Sequence, residues 1–156
     1  MFDLGEVLLW KDFPLQRDGW VKNRYFIYIG NSPIFSVPAN WYGISTTTRY
    51  EYYATGAERE GNNHIIIEES SYGFPSKSIV DVDKWFEGYY METLQQNINK
   101  ITIIGRLDNT KLIEIYKLIF KSGQISMKIK TDIYECYKNN SITGIEKPQK
   151  RRKSKY

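Results

Sequence analysis

The stretch LDNTKLIEIYKLIFKSG, residues 107–123, is where the hydrophobic pattern of the chain changes its period. Its apolar residues recur at the i, i+3, i+4, i+7 spacing that places side chains on one face of an α-helix. These residues are Leu112, Ile115, Tyr116 and Ile119. Asp108 or Asn109 can cap the N-terminus of such a helix, and Gly123 is suited to end it. The stretch therefore predicts one amphipathic helix.

The chain before this helix has the pattern of short strands separated by loops that contain proline and glycine. The segments predicted as strands are 5–10, 24–30, 41–53, 64–69, 78–83 and, more weakly, 89–94. A second, weaker helix is predicted over residues 127–139, with Ile129, Ile133 and Tyr137 in register. The order predicts a mainly β protein with C-terminal helices, an α+β fold built on a small, curved antiparallel sheet or barrel.

The composition predicts a soluble, globular protein. The 156 residues suit one domain, and 41% are hydrophobic while 26% are charged. The domain is predicted to span residues 1–140, followed by a tail over 141–156. No apolar run approaches the roughly 20 residues that a membrane-spanning helix needs, and the N-terminus lacks the basic region of a signal peptide. A cytoplasmic location is therefore expected.

The positive charge of the chain is concentrated at its C-terminal end. The net charge is +4, and KPQKRRKSKY, residues 147–156, holds six basic residues and no acidic ones. Without that segment acidic residues slightly outnumber basic ones. The tail is predicted to be disordered, and it either binds RNA or DNA phosphates without sequence preference or only aids solubility.

Few common catalytic arrangements fit this sequence. With one cysteine, Cys136, and one histidine, His64, neither an internal disulfide nor a Cys/His zinc site within one chain is possible. His64 is expected to be a structural or surface residue, and Cys136 a small buried hydrophobic residue. Asp81 and Asp83 would share a strand face and could hold a divalent metal, but a solvated strand edge is the commoner role. No metal and no cofactor is predicted.

A cluster without histidine remains, formed by Arg24 after the first loop and by STTTR, residues 45–49, on the next strand. RNA can be cleaved by its own 2′-hydroxyl. This reaction needs a proton acceptor, stabilisation of the crowded phosphate and a donor to the leaving oxygen, and it requires no metal because the nucleophile is part of the substrate. Arginine supplies a fork of N–H donors, and Ser or Thr hydroxyls can hold phosphate oxygens. The alternative is that Arg24 is the solvated end of a hairpin and STTT a plain β-branched strand.

The order of these features resembles that of the MazF/PemK (Kid-like) toxins of bacterial type II toxin–antitoxin systems, whose fold is similar to that of the gyrase poison CcdB. The resemblance spans residues 5–119. The segments that carry it are GEVLLWKDFP (5–14), VKNRYFIYIG (21–30), YGISTTTR (42–49), YGFPSKSIVDVD (72–83) and ITIIGRLDNTKLIEIYKLI (101–119). It implies a small SH3-like, CcdB-like barrel that acts as a homodimer, cleaves single-stranded RNA without a metal or cofactor, and binds a cognate antitoxin.

The resemblance also implies roles for individual residues. The family's catalytic arginine matches Arg24, and its catalytic threonine falls on Ser45 or, if the alignment slips by one, on Thr46. The residues expected to bind RNA are Arg17, Lys22, Thr47 and Arg49. Tyr25 stands where the family has a proline after the catalytic arginine. A second reading therefore stays open, in which the barrel binds a protein target or RNA without cleaving it.

Overall fold

The computed structural model of the chain describes residues 2–15 and 20–150. Its strands are β1 (Glu6–Trp10), β2 (Arg24–Asn31), β3 (Asn40–Ser45), β4 (His64–Ile67), β5 (Ser78–Asp81), β6 (Phe86–Tyr90) and β7 (Ile101–Arg106). Its helices are α1 (Met91–Gln96), α2 (Asn109–Lys121) and α3 (Met127–Asn139), with 3₁₀ turns at Tyr50–Tyr52 and Ile98–Lys100. The predicted fold class, mainly β with C-terminal helices, is confirmed.

The strands form one antiparallel sheet of five, in the order β6-β3-β2-β1-β7, and a hairpin of β4 and β5. Thr47, just beyond the end of β3, forms a bridge with Ile79 of β5 and joins the hairpin to the sheet. The Ile79 amide donates to the Thr47 carbonyl at 2.7 Å, and the Thr47 amide donates back at 3.1 Å. The arrangement is barrel-like but open, since β6 and β7 are the edges of the described five-stranded sheet.

Alternate residues of a strand point to opposite sides of the sheet, and a cluster of hydrophobic side chains covers each side. On one face Ile27, Ile29 and Ile44 belong to the main core, which α2, α3 and the hairpin complete. On the other face Phe26 and Trp41 belong to an aromatic cluster, with ring centroids 5.7 Å apart. The middle of the sheet is consequently packed on both sides.

The two C-terminal helices match the periodicity of the sequence. The Asp108 carboxylate caps α2 by accepting the Lys111 amide N–H at 2.8 Å, and the four apolar residues predicted for its inner face are all buried. Ser126 caps α3 in the same way, at 3.3 Å from the Ile129 amide. The Tyr137 hydroxyl of α3 donates to the Leu112 carbonyl at 2.9 Å, which ties the helices together.

Three predictions about secondary structure were incomplete. The strand predicted over 41–53 ends at Ser45, because the chain changes partner there from β2 to β5 and then turns at Tyr50–Tyr52. Segment 89–94 is divided between β6 and α1. The periodicity did not indicate β7, whose side chains are mostly half-buried or exposed and show no regular alternation of burial.

The segment after α3 packs on the protein over its first half. Ile142 is 5% exposed and belongs to the main core, and Pro148 is buried. The Tyr116 hydroxyl donates to the Glu146 carbonyl. The tail predicted from residue 141 thus begins with a packed segment, while residues 151–156 lie outside the described part. Within that part, no helix combines the length and the apolar character that crossing a membrane requires.

Candidate functional site

A cleft of about 260 Å³ opens where β2 begins and β3 ends. The chain after β3 is held there from two sides. The Thr46 amide donates to the Tyr25 carbonyl of β2 at 3.0 Å, and Thr47 pairs with Ile79 of β5. One wall is therefore residues 46–49 and the other is the turn before β5. The lining residues are Asn23, Arg24, Tyr25, Thr46, Thr47, Thr48, Arg49, Pro75, Ser76 and Ser78.

Arg24 is the first residue of β2 and lies opposite Trp10 of β1. It is half-buried, and its guanidinium carbon lies 5.1 Å from the centre of the Trp85 ring. Arg59 and Lys84 approach the same ring at 5.8 and 5.7 Å. A cation over an indole face is attracted by the ring quadrupole, so Trp85 positions the Arg24 side chain beside the cleft. Three cations thus cluster around one indole ring at this end of the sheet.

Two neighbouring hydroxyls, those of Ser45 and Thr46, occupy different environments. Ser45 lies opposite Phe26 in the β2–β3 pairing and is only 3% exposed. Its Oγ is buried and has no hydrogen-bond partner among the described residues. Thr46 is half-buried and lines the cleft together with Arg24. Of the two predicted positions for the catalytic hydroxyl, the structure therefore brings Thr46, and not Ser45, to the cleft.

The predicted RNA-binding residues divide in the same way. Thr47 and Arg49 line the cleft, and the Thr47 hydroxyl accepts the Arg49 amide N–H at 3.2 Å. The Arg49 side chain is 66% exposed and lies 3.9 Å from the carboxylate of Glu51. Lys22 is exposed but does not line the cleft. Arg17 lies outside the described residues.

The lining of the cleft is suited to a polyanion. It offers two guanidinium groups and a run of Thr and Ser hydroxyls, and among the described residues that line it there is no carboxylate, imidazole or thiol. Such donors can hold phosphate oxygens through charge-assisted hydrogen bonds. The lining contains no side chain that ordinarily exchanges a proton near neutral pH. The site can therefore stabilise negative charge more readily than it can act as a general base.

Sequence reasoning missed the second wall and the aromatic support of this cleft. Pro75, Ser76 and Ser78 belong to a segment that predicts only a turn and a strand, and nothing in it indicates pairing with Thr47. The Ser78 hydroxyl donates to the Ser76 carbonyl at 2.8 Å, which fixes the turn. Trp85 carries no motif either. Its place beside Arg24 follows from the hydrogen bond of 3.0 Å between the Ser45 amide and the Trp85 carbonyl.

The acidic pair considered for metal binding has a structural role. Asp81 is fully buried, and one carboxylate oxygen accepts the Tyr53 hydroxyl at 2.6 Å and the Asn62 amide at 2.8 Å. Its other oxygen accepts the backbone N–H groups of Asp83 and Lys84, at 2.9 and 3.0 Å. Burial and this carboxylate raise the pKa of Tyr53 far above its usual range, so the phenol remains a donor. Within residues 2–15 and 20–150, no cluster of three or more metal-ligating side chains occurs.

His64 and Cys136 each have local partners. The His64 Nδ1 lies 2.7 Å from the Asn62 carbonyl, and its ring is 4.9 Å from that of Tyr53. Cys136 packs from α3 against Asn31 and its thiol lies 3.4 Å from the Asn31 carbonyl. Burial raises the pKa of the Cys136 thiol. Neither residue lines the cleft.

A larger cavity, of about 510 Å³, lies between the N-terminal segment, the β2–β3 loop and α3. Its lining includes the carboxylates of Asp3, Asp132 and Glu135 and the apolar side chains of Ile34 and Phe35. Carboxylates repel phosphate, so this cavity is the poorer candidate for a nucleic-acid site despite its size.

No protein-family model and no curated protein matches the chain. The function is accordingly argued from the cleft.

Proposed function

We propose that this chain is a sequence-selective, metal-independent endoribonuclease that acts on single-stranded RNA as the toxin of a type II toxin–antitoxin system. The observation that carries the proposal is the convergence of Arg24 with Thr46–Arg49 in one cleft. Arg24 begins β2 and Thr46–Arg49 follow the end of β3, so two guanidinium groups and several hydroxyls meet at one end of the sheet. The resemblance to the MazF/PemK toxins implies the same arginine, Arg24, and allows Thr46 as the alternative to Ser45.

The proposed reaction is a transesterification within the RNA. The 2′-oxygen forms a bond to phosphorus as the bond from phosphorus to the 5′-oxygen breaks, which gives a 2′,3′-cyclic phosphate and a 5′-hydroxyl. The guanidinium of Arg24 donates hydrogen bonds to the phosphate as its charge becomes concentrated, and it polarises the leaving oxygen. Water accepts the proton of the 2′-hydroxyl and supplies one to the leaving oxygen. The nucleophile is part of the substrate.

The other cleft residues hold the substrate in this scheme. The Thr46 hydroxyl donates to a non-bridging oxygen of the scissile phosphate. Thr47 and Arg49, farther along the same wall, bind a flanking phosphate. Lys22 and Arg17, which precede β2 in the sequence, bind further phosphates of the RNA strand. The proposal also holds that the chain forms a homodimer and binds a cognate antitoxin. Light scattering of the purified chain tests whether it is a dimer.

The test is incubation of the purified protein with a long single-stranded RNA in EDTA. We expect discrete products from the wild type and none from Arg24→Ala. Lys84→Ala is the matched control, because Lys84 also lies over the Trp85 ring but does not line the cleft. It should cleave like the wild type. Full cleavage by a folded Arg24→Ala protein would refute the assignment.

A second candidate function is RNA binding without cleavage on the same fold. Two observations favour it. The described lining residues include no side chain that could act as a general base near neutral pH, and Tyr25 stands where the toxin family has proline. The same incubation separates the two functions when it is paired with a binding measurement. Retention of labelled RNA by the wild type, without any product in EDTA, would establish the binding protein and exclude the nuclease.

A further inference from the structure

Tyr50 lies at the edge of the cleft, next to the lining residue Arg49. It follows directly after the wall formed by residues 46–49, and its hydroxyl donates to the carbonyl of Lys77. Lys77 lies between Ser76 and Ser78, which belong to the opposite wall. The phenol ring therefore spans from one wall to the other. The Lys77 ammonium lies 5.4 Å from the ring centre, so a cation accompanies the ring at this position.

Tyr50 differs from the two other tyrosines of its turn. The Tyr52 ring lies 4.3 Å from the Arg59 guanidinium, and the Tyr53 hydroxyl is engaged by Asp81. Both side chains serve the packing of the loop. Tyr50 is 38% exposed, and its neighbour Arg49 has a largely exposed guanidinium. An exposed aromatic ring beside a cationic, hydroxyl-rich cleft is the combination that proteins use to hold single-stranded nucleic acid, with phosphates on the cations and bases on the ring.

We propose that Tyr50, supported by Lys77, is a stacking subsite for an unpaired base of the nucleotide next to the phosphate held in the cleft. This inference rests on the proposed function, since it takes single-stranded nucleic acid as the ligand. Stacking does not require a particular base, because every base has a π-face. The subsite thus explains a preference for unpaired strands and leaves the choice of sequence to other contacts.

The experiment compares two labelled oligomers of equal length in EDTA, a 2′-O-methyl RNA and its abasic counterpart. Neither oligomer can be cleaved at its 2′-position in the proposed way, so only binding is measured. We expect the wild type to bind the base-bearing oligomer about tenfold more tightly than the abasic one, in line with the usual worth of one stacked base. Tyr50→Leu should lose that preference and leave abasic binding unchanged.

Tyr50→Phe is the matched control. Phe and Leu both lack the hydroxyl that donates to the Lys77 carbonyl, but only Phe has an aromatic ring, so a difference between the two variants reports the ring. Phe should keep the preference, and Tyr50→Trp should keep or raise it. If Leu does not fold, loss of the preference in both Phe and Trp overturns the inference. An equal loss of affinity for both oligomers in Tyr50→Leu, or no loss for either, overturns stacking and leaves the proposed function standing. A folded wild type that binds neither oligomer overturns the proposed function itself.

Discussion

Among single residues, Ser45 and Thr46 show how one step along a strand changes what a hydroxyl can do. Ser45 faces the aromatic cluster with its Oγ buried and without a partner among the described residues, whereas Thr46 lines the cleft. A buried, unpaired hydroxyl costs stability, so Ser45→Ala should raise the free energy of unfolding by up to about 1 kcal/mol. Urea unfolding of the two proteins measures this difference.

The same pair distinguishes the two alignments of the catalytic hydroxyl. Thr46→Val removes the hydroxyl and keeps the β-branched shape, and we expect it to lower kcat/KM for RNA on the order of 10², as the loss of one preorganised donor does. Thr46→Ser should retain most of the activity. Wild-type cleavage by Thr46→Val, together with loss in Ser45→Ala, would return the catalytic role to Ser45.

The raised pKa of the Cys136 thiol, on α3, gives a prediction about its reactivity. Burial raises the pKa of its thiol, as do the nearby carboxylates of Asp132 and Glu135, while an N–H contact from Asn31 opposes them. A raised pKa means less thiolate at mildly alkaline pH, so alkylation should be slower than for an exposed cysteine. The rate should also continue to rise with pH beyond about 8.5, where an ordinary thiol is half ionised. The urea-unfolded chain is the control, and a folded-state profile that coincides with it would contradict the expectation.

Among the elements, the edge strand β7 depends on a close backbone crossing with the loop before β5. A Cβ placed on Gly105 would lie 1.8 Å from the Tyr72 carbonyl oxygen, and one on Gly73 would lie 2.0 Å from that of Ile104. Gly105→Ala forces the two backbones apart and should lower the free energy of unfolding by about 1–3 kcal/mol. Gly123→Ala, where no atom lies within 4 Å of the new Cβ, should have little effect. Equal stabilities of the two variants in thermal melts would disprove the crossing.

The cap of α2 gives a prediction about pH. The Lys111 amide and the Tyr72 hydroxyl both donate to the Asp108 carboxylate and hold its pKa below the usual 3.8. When the pKa of a carboxyl group is lower in the folded than in the unfolded protein, its ionised form stabilises the fold at any pH above the unfolded-state pKa. This contribution is lost as the pH falls through the folded-state pKa. Asp108→Ala should therefore cost about 1 kcal/mol at neutral pH and progressively less in acid. Asp108→Asn, which can still cap, should cost less at neutral pH, and a pH-independent difference for Asp108→Ala would contradict the assignment.

The elements that the sequence predicts well are those set by local interactions. The period of Leu112, Ile115, Tyr116 and Ile119 and the cap at Asp108 lie within one short stretch, and both are confirmed. The cleft depends instead on pairing between Thr47 and Ile79, which are far apart in the chain. β-Branched residues favour any extended segment. The STTT run therefore could not show that the chain would stop pairing with β2 and pair with β5 instead. Arg24 and Thr46 were named from the sequence, but Tyr50, Lys77 and Trp85 require the fold.

For the whole molecule, the distribution of charge leads to the last prediction. The excess of positive charge resides in residues 147–156, and the described chain is packed at least to Pro148. Arg151, Arg152, Lys153 and Lys155 lie outside the described residues, and replacing them by glutamine leaves every described lining residue of the cleft in place. It removes four cations that can displace counterions from RNA, so the slope of log affinity against log salt should become shallower by up to about 3. The positions of cleavage should not change, because contacts to phosphates carry no sequence information directly.

The matched control replaces four lysines elsewhere, so that the same number of positive charges is removed. Lys11, Lys117, Lys121 and Lys138 are exposed and do not line the cleft, so their replacement by glutamine changes the net charge equally. If the tail contacts the RNA directly, the tail variant loses more affinity at low salt than the control does, and the two converge as salt screens the charges. Equal losses at every salt concentration would mean that only the net charge matters, and the tail would then be a solubilising segment.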